Sequence, residues 1–195
     1  MQRRDILKSS ALMLGYAVTG GTALAVLNGC KADTSDGWQP ITLTAEQVQM
    51  LAEVAESIIP TTDTPGAKTA MVHRYIDEAI SNNFTAGERE RFFADLPQVD
   101  SQSQAIGKAN FVDLSQKQKD AVLTVLASEA KEVHKANEAN DTEEPHIFTT
   151  LRELTATGYF TSELVATEVL VYDPVPGPYK GCIPVSDVGG TYALW

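Results

Sequence analysis

Three short signals, Thr44-Ala45-Glu46-Gln47, Thr85-Ala86-Gly87-Glu88 and Ser115-Gln116-Lys117-Gln118, constrain this chain more than any other feature. In each, a hydroxyl side chain stands three residues before a Gln or Glu, so two of the amides that every helix start leaves without an internal partner can be satisfied reciprocally. Each signal is followed by apolar residues three and four apart, the period of one helix face. After Thr44 they are Val48, Leu51, Val54, Ala55, Ile58 and Ile59, halted by Pro60. After Thr85 they are Phe92, Phe93 and Leu96, and after Ser115 they begin with Val122, Leu123, Val125 and Leu126. Two more stripes lack such a box. Val72, Tyr75, Ile76, Ala79 and Ile80 come after the turn at residues 61–66, and Ile147, Phe148, Leu151 and Leu154 come after Pro145, which suits a first helical turn. The expected fold is mainly α, a small bundle of about five helices over residues 44–160. Residues 97–110 are polar and broken and read as a connection.

Beyond Gly158 the pattern changes. Leu170-Val171-Tyr172 is short and β-branched, and Pro174, Pro176, Pro178 and Pro184 forbid regular structure toward the C-terminus. Residues 161–195 are therefore expected to form an extended proline-rich C-terminal arm that packs on the domain or on a partner. Within it Tyr172 and Tyr179 are candidate partner contacts, because aromatic side chains in a segment without its own core serve as anchors.

At the other end, Arg3, Arg4 and Lys8 precede an apolar run from Ser9 to Leu27, and no charge falls between Lys8 and Lys31. Glycines and threonines keep that run too weakly apolar for a permanent span, so residues 1–29 read as a signal. Arg3-Arg4-Asp5-Ile6-Leu7-Lys8 resembles the twin-arginine export pattern, with Ile6 where phenylalanine is commoner. Leu27-Asn28-Gly29-Cys30 resembles a lipoprotein box with an unusual Asn28, which makes Cys30 the expected lipidation site and residues 30–43 a tether. The expected location is the periplasm, attached to the membrane.

The whole chain has a formal charge of −11; removing residues 1–29 takes three basic residues and one acid with it and leaves −13. Nucleic acid is excluded as a partner, and anionic headgroups are repelled, so attachment has to come from acyl chains or from another subunit. Cys30 and Cys182 are the only cysteines. With Cys30 acylated, Cys182 is a lone thiol in an oxidising compartment, which suggests an inter-subunit disulfide. A buried thiol and a Cys30–Cys182 bridge in an unlipidated chain stand as alternatives. His73, His134 and His146 lack metal-ligand spacing, and no phosphate loop, dinucleotide fingerprint, nucleophile elbow or haem-attachment motif occurs. No catalytic, cofactor-binding or metal residue is expected in this chain.

Three segments carry a resemblance. Ser57-Ile58-Ile59-Pro60-Thr61-Thr62-Asp63-Thr64-Pro65-Gly66-Ala67, Gly158-Tyr159-Phe160-Thr161-Ser162-Glu163, and the stretch from Tyr172 to Cys182 with Pro176-Gly177-Pro178-Tyr179-Lys180-Gly181, in this order behind a twin-arginine leader, resemble the small subunit, subunit 3, of gluconate 2-dehydrogenase and related flavin-dependent sugar dehydrogenases. The resemblance implies a non-catalytic subunit bound to a large flavoprotein of the glucose-methanol-choline type, with a cytochrome c subunit passing electrons onward. FAD and haem c would then reside in partner chains, and the leader here would carry the flavoprotein out with it. The alternatives are a stand-alone ligand-binding lipoprotein and a hydrolase using one histidine with acidic residues.

Overall fold

A computed structural model describes residues 37–195 apart from 143, 173, 174, 176, 179, 180, 188, 192–195 and the side chain of Val185. Arg3, Arg4, Cys30 and Tyr179 lie outside the described residues. All three capping boxes close. Thr44 Oγ1 accepts from Gln47 N at 3.3 Å while Gln47 Oε1 accepts from Thr44 N at 2.9 Å, which starts helix α1 (Ala45–Ile58). Thr85 with Glu88 starts α3 (Ala86–Asp95), and Ser115 with Gln118 starts α5 (Gln116–Asn140). Between and after them lie α2 (Val72–Asn82), α4 (Pro97–Gly107), α6 (Ile147–Phe160) and the six-residue α7 (Glu163–Glu168). The fold is mainly helical, with no strand among the described residues.

The apolar stripes meet in one core. Leu51 and Val54 from α1, Ile76 and Ile80 from α2, Val122 and Leu126 from α5, and Ile147 and Leu151 from α6 are all fully buried. Burying each such side chain stabilises by about 1.5–3 kcal/mol before the entropy of ordering is counted. Two polar devices fix the geometry around it. Asp77 of α2 is wholly buried and accepts from three successive backbone amides, Ile41 N (2.6 Å), Thr42 N (3.0 Å) and Leu43 N (2.9 Å), which ties the approach to α1 onto the bundle. Arg89 of α3 donates to the carbonyls of Ile80 (3.2 Å) and Ser81 (2.7 Å), placing a cation on the negative end of α2.

Residues 97–107 differ from the sequence expectation: they form α4 rather than a broken connection. Pro97 sits at the first helical position, where its fixed φ is already suitable and its missing amide costs nothing. Val99 and Ser103, one turn apart, are both fully buried, with Ser103 Oγ donating to Val99 O at 2.7 Å. Asp100 Oδ1 accepts from Phe111 N at 2.9 Å, so the helix also orders the turn beyond it.

The chain after Phe160 is not extended at once. Ser162 caps α7, its Oγ accepting from Val165 N at 3.3 Å, and Val165 is fully buried. Only then does the proline-rich stretch begin. It carries a 3-10 turn, Val185–Asp187, and returns on itself through Val171 N donating to Thr191 O at 2.8 Å.

Candidate functional site

The loop from Pro60 to Met71 joins α1 to α2 and is built around one carboxylate. Glu56, in the last turn of α1, accepts from Thr61 N (2.9 Å) and Thr61 Oγ1 (2.7 Å) with one oxygen and from Lys68 N (2.8 Å) with the other. Thr61 Oγ1 in turn accepts from Gly66 N at 3.2 Å, and Ala67 N donates to Ile59 O at 3.0 Å. A Cβ on Gly66 would collide with both the Glu56 carboxylate and the Thr61 hydroxyl, so a larger residue there would displace the two groups that hold the loop.

The end of α6 closes on this loop. Tyr159 OH donates to Pro65 O at 2.7 Å, and Gly158 lies so close to the Tyr75 ring that a Cβ would stand 2.6 Å from Tyr75 Cδ1. Two of the three segments that carry the resemblance, far apart in sequence, are thus one structural unit at one end of the bundle. That end also displays apolar side chains. Phe160 is 50% exposed with its ring edge-on to Tyr159, centroids 5.3 Å apart. Met71 is 46% exposed and holds a left-handed backbone, φ 56°, a conformation costly for a residue with a long side chain.

Beneath the loop, Glu53 of α1 pairs with both Lys68 and Lys119, the latter at 2.9 Å. The Lys119 side chain is only 8% exposed, and its Nζ stands 5.8 Å over the Phe111 ring. Burial raises the Glu53 carboxyl, but the hydrogen bonds and charges of the two lysines outweigh it and hold the group below its ordinary range. His73, at the start of α2, is pushed below its ordinary 6.5 by burial first and then by Arg74 and Lys68. Both groups therefore bind protons more readily in the unfolded chain. Their contribution to stability is complete above the ordinary ranges and is lost as pH falls, through the histidine range first and the carboxylate range next. The expected result is a melting temperature that declines from pH 8 to pH 5, with His73→Gln flattening that decline; an unchanged slope in the variant would remove His73 from the explanation.

The third segment is exposed where it is described. Tyr172 is 60% exposed, Ile183 and Val175 are exposed beside it in sequence, and the Cys182 thiol is at the surface rather than in the core. The histidines are dispersed. His134 pairs with Glu138 on the surface of α5, whereas His146 caps α6, its Nδ1 accepting from Phe148 N at 3.2 Å. No group of three or more His, Cys, Asp or Glu that could hold a metal ion occurs among the described residues, and none of their helices is long and apolar enough to cross a membrane. Glu53 and Glu56 were not singled out by sequence reasoning, because an acid on a helix flank reads as a solvated charge.

A family model described as gluconate 2-dehydrogenase subunit 3 matches residues 45–177, from the first residue of α1 into the proline-rich stretch. Comparison with curated proteins gives no match, and neither does comparison with solved structures.

Proposed function

Because the chain belongs to the gluconate 2-dehydrogenase subunit 3 family, we propose that it is the non-catalytic accessory subunit of a periplasmic dehydrogenase complex whose chemistry resides in a partner flavoprotein. The flavoprotein is of the glucose-methanol-choline type and carries FAD; a cytochrome c subunit with haem c takes the electrons onward. Arg3 and Arg4 direct the folded pair through the twin-arginine translocase, and acyl chains on Cys30 hold it at the membrane. The observation that carries the reading is the bundle end where the loop at residues 60–71 and the turn at 158–160 lock together. Here the constrained surface presents Phe160 and Met71, large apolar side chains suited to filling pockets on another protein.

Co-expression with a flavoprotein that has no leader of its own tests the export role. Flavin-dependent activity is expected in the periplasm only when this chain is present, and Arg3→Lys with Arg4→Lys is expected to hold both chains in the cytoplasm. Normal delivery of the flavoprotein beside the double-lysine variant would refute that role. Mass spectrometry of the mature amino terminus reads the lipid on Cys30. The exposed Cys182 is proposed to form a disulfide with the flavoprotein, seen as a covalent heterodimer without reductant that disappears in Cys182→Ser; chains that migrate separately would make the contact non-covalent.

A further inference from the structure

A groove of about 580 Å³ is lined by residues of α3 and α6, and none of the loop residues 60–71 lines it. Its floor is apolar: Phe84, Phe92, Ile147 and Leu154, with Phe84 and Phe92 edge-to-face at 6.0 Å. The residues that line it keep helical periods on both walls. Glu88, Arg91, Phe92 and Asp95 of α3 are three, four and seven apart, and Ile147, Thr150, Leu154 and Thr157 of α6 are three, seven and ten apart. At 1.5 Å per residue the α6 wall extends about 15 Å, nearly three helical turns. A groove whose lining residues recur at helical spacing on two helices offers apolar sites at the spacing that a third helix presents on its own apolar face.

The rim decides what kind of helix. It carries Glu88, Asp95, Glu144 and Glu153 against Arg91, which Glu144 already engages at 3.5 Å. An apolar floor beneath a surplus of carboxylates selects a segment with apolar anchors flanked by lysine or arginine and repels an acidic one. We propose that the α3–α6 groove docks a basic amphipathic helix presented by another polypeptide. The groove is thereby a second contact surface, with a different chemistry from the apolar bundle end. Its recognition does not depend on whether the chain assembles with a flavoprotein, so failure of one reading leaves the other standing.

The probes are three synthetic helical peptides: a Leu/Phe stripe flanked by lysines, the same stripe flanked by glutamates, and the lysine peptide with serine in place of the stripe. Fluorescence anisotropy with the purified full chain is expected to show the first binding at least about tenfold tighter than either of the others. Glu144→Lys with Glu153→Lys, both at exposed positions, should invert the preference toward the glutamate peptide. Thr150→Trp should fill the trough and weaken the first peptide without altering charge. Circular dichroism confirms that both variants keep their helices. Equal binding of the serine-stripe peptide would reduce the effect to general attraction by an acidic protein and overturn the proposal. So would indifference to the charge swap and to Thr150→Trp. A concentration-dependent dimer of this chain that these variants abolish would put a second copy in the groove and overturn it equally.

Discussion

Glu53→Ala is expected to lower the unfolding free energy by about 3 kcal/mol, whereas Lys119→Met, at the other end of the same ion pair, is expected to change it by less than about 1 kcal/mol. The asymmetry comes from the groups each substitution leaves behind. Without Glu53, the Lys119 ammonium stays almost fully buried with only the Phe111 ring for company, and the desolvation of a charge is uncompensated. Without Lys119, Glu53 keeps Lys68, which is about half exposed, and methionine fills the same volume against Phe111. Urea denaturation of the two variants reads the difference. Equal losses would mean that the pair itself, rather than the stranded lysine, is what the fold depends on.

Asp77→Ala is expected to cost a comparable amount, about 3 kcal/mol, because three backbone amides lose a charged acceptor at once and Leu43 N is buried where water does not replace it. Asp77→Asn should cost less than alanine but more than nothing, since an amide NH₂ facing one of those donors cannot accept from it. Hydrogen exchange localises the effect: faster exchange at residues 41–43 before any change in α5 is expected. Uniform acceleration across the chain would instead make Asp77 a general core residue.

Five helices were legible: in three, capping chemistry and apolar period agree at the same positions, as at Thr44 and Leu51 or Ser115 and Leu126, and in the other two the apolar period alone carried the reading. Residues 97–107 were not. Leu96, Val99 and Ile106 are a sparse stripe among Gln, Ser and Asp, and their helix depends on contact with α5, which no local window contains. Residues 163–168 were missed for a different reason. A helix of six residues has too few turns to show a period, and it is held by one buried Val165 and the Ser162 cap. The loop at residues 60–67 and the turn at Gly158 were visible as motifs, but not as neighbours. Their junction is a single hydrogen bond from Tyr159 to Pro65, between residues 94 positions apart. The groove was hidden altogether, since Glu88 reads from sequence as a capping acid and Glu153 as a solvated one.

The central claim, that this chain serves a catalytic flavoprotein rather than catalysing or binding alone, is tested most directly by capture of the tagged chain after co-expression with a glucose-methanol-choline-type flavoprotein. The account predicts a stoichiometric complex with a flavin absorbance spectrum, acceptor reduction by the complex and none by the chain alone. It also predicts that Phe160→Asp, at a half-exposed site on the bundle end, weakens capture while leaving the helical content unchanged. A chain that purifies as a stable monomer with turnover of its own, and that retains no flavoprotein under the same conditions, would contradict it.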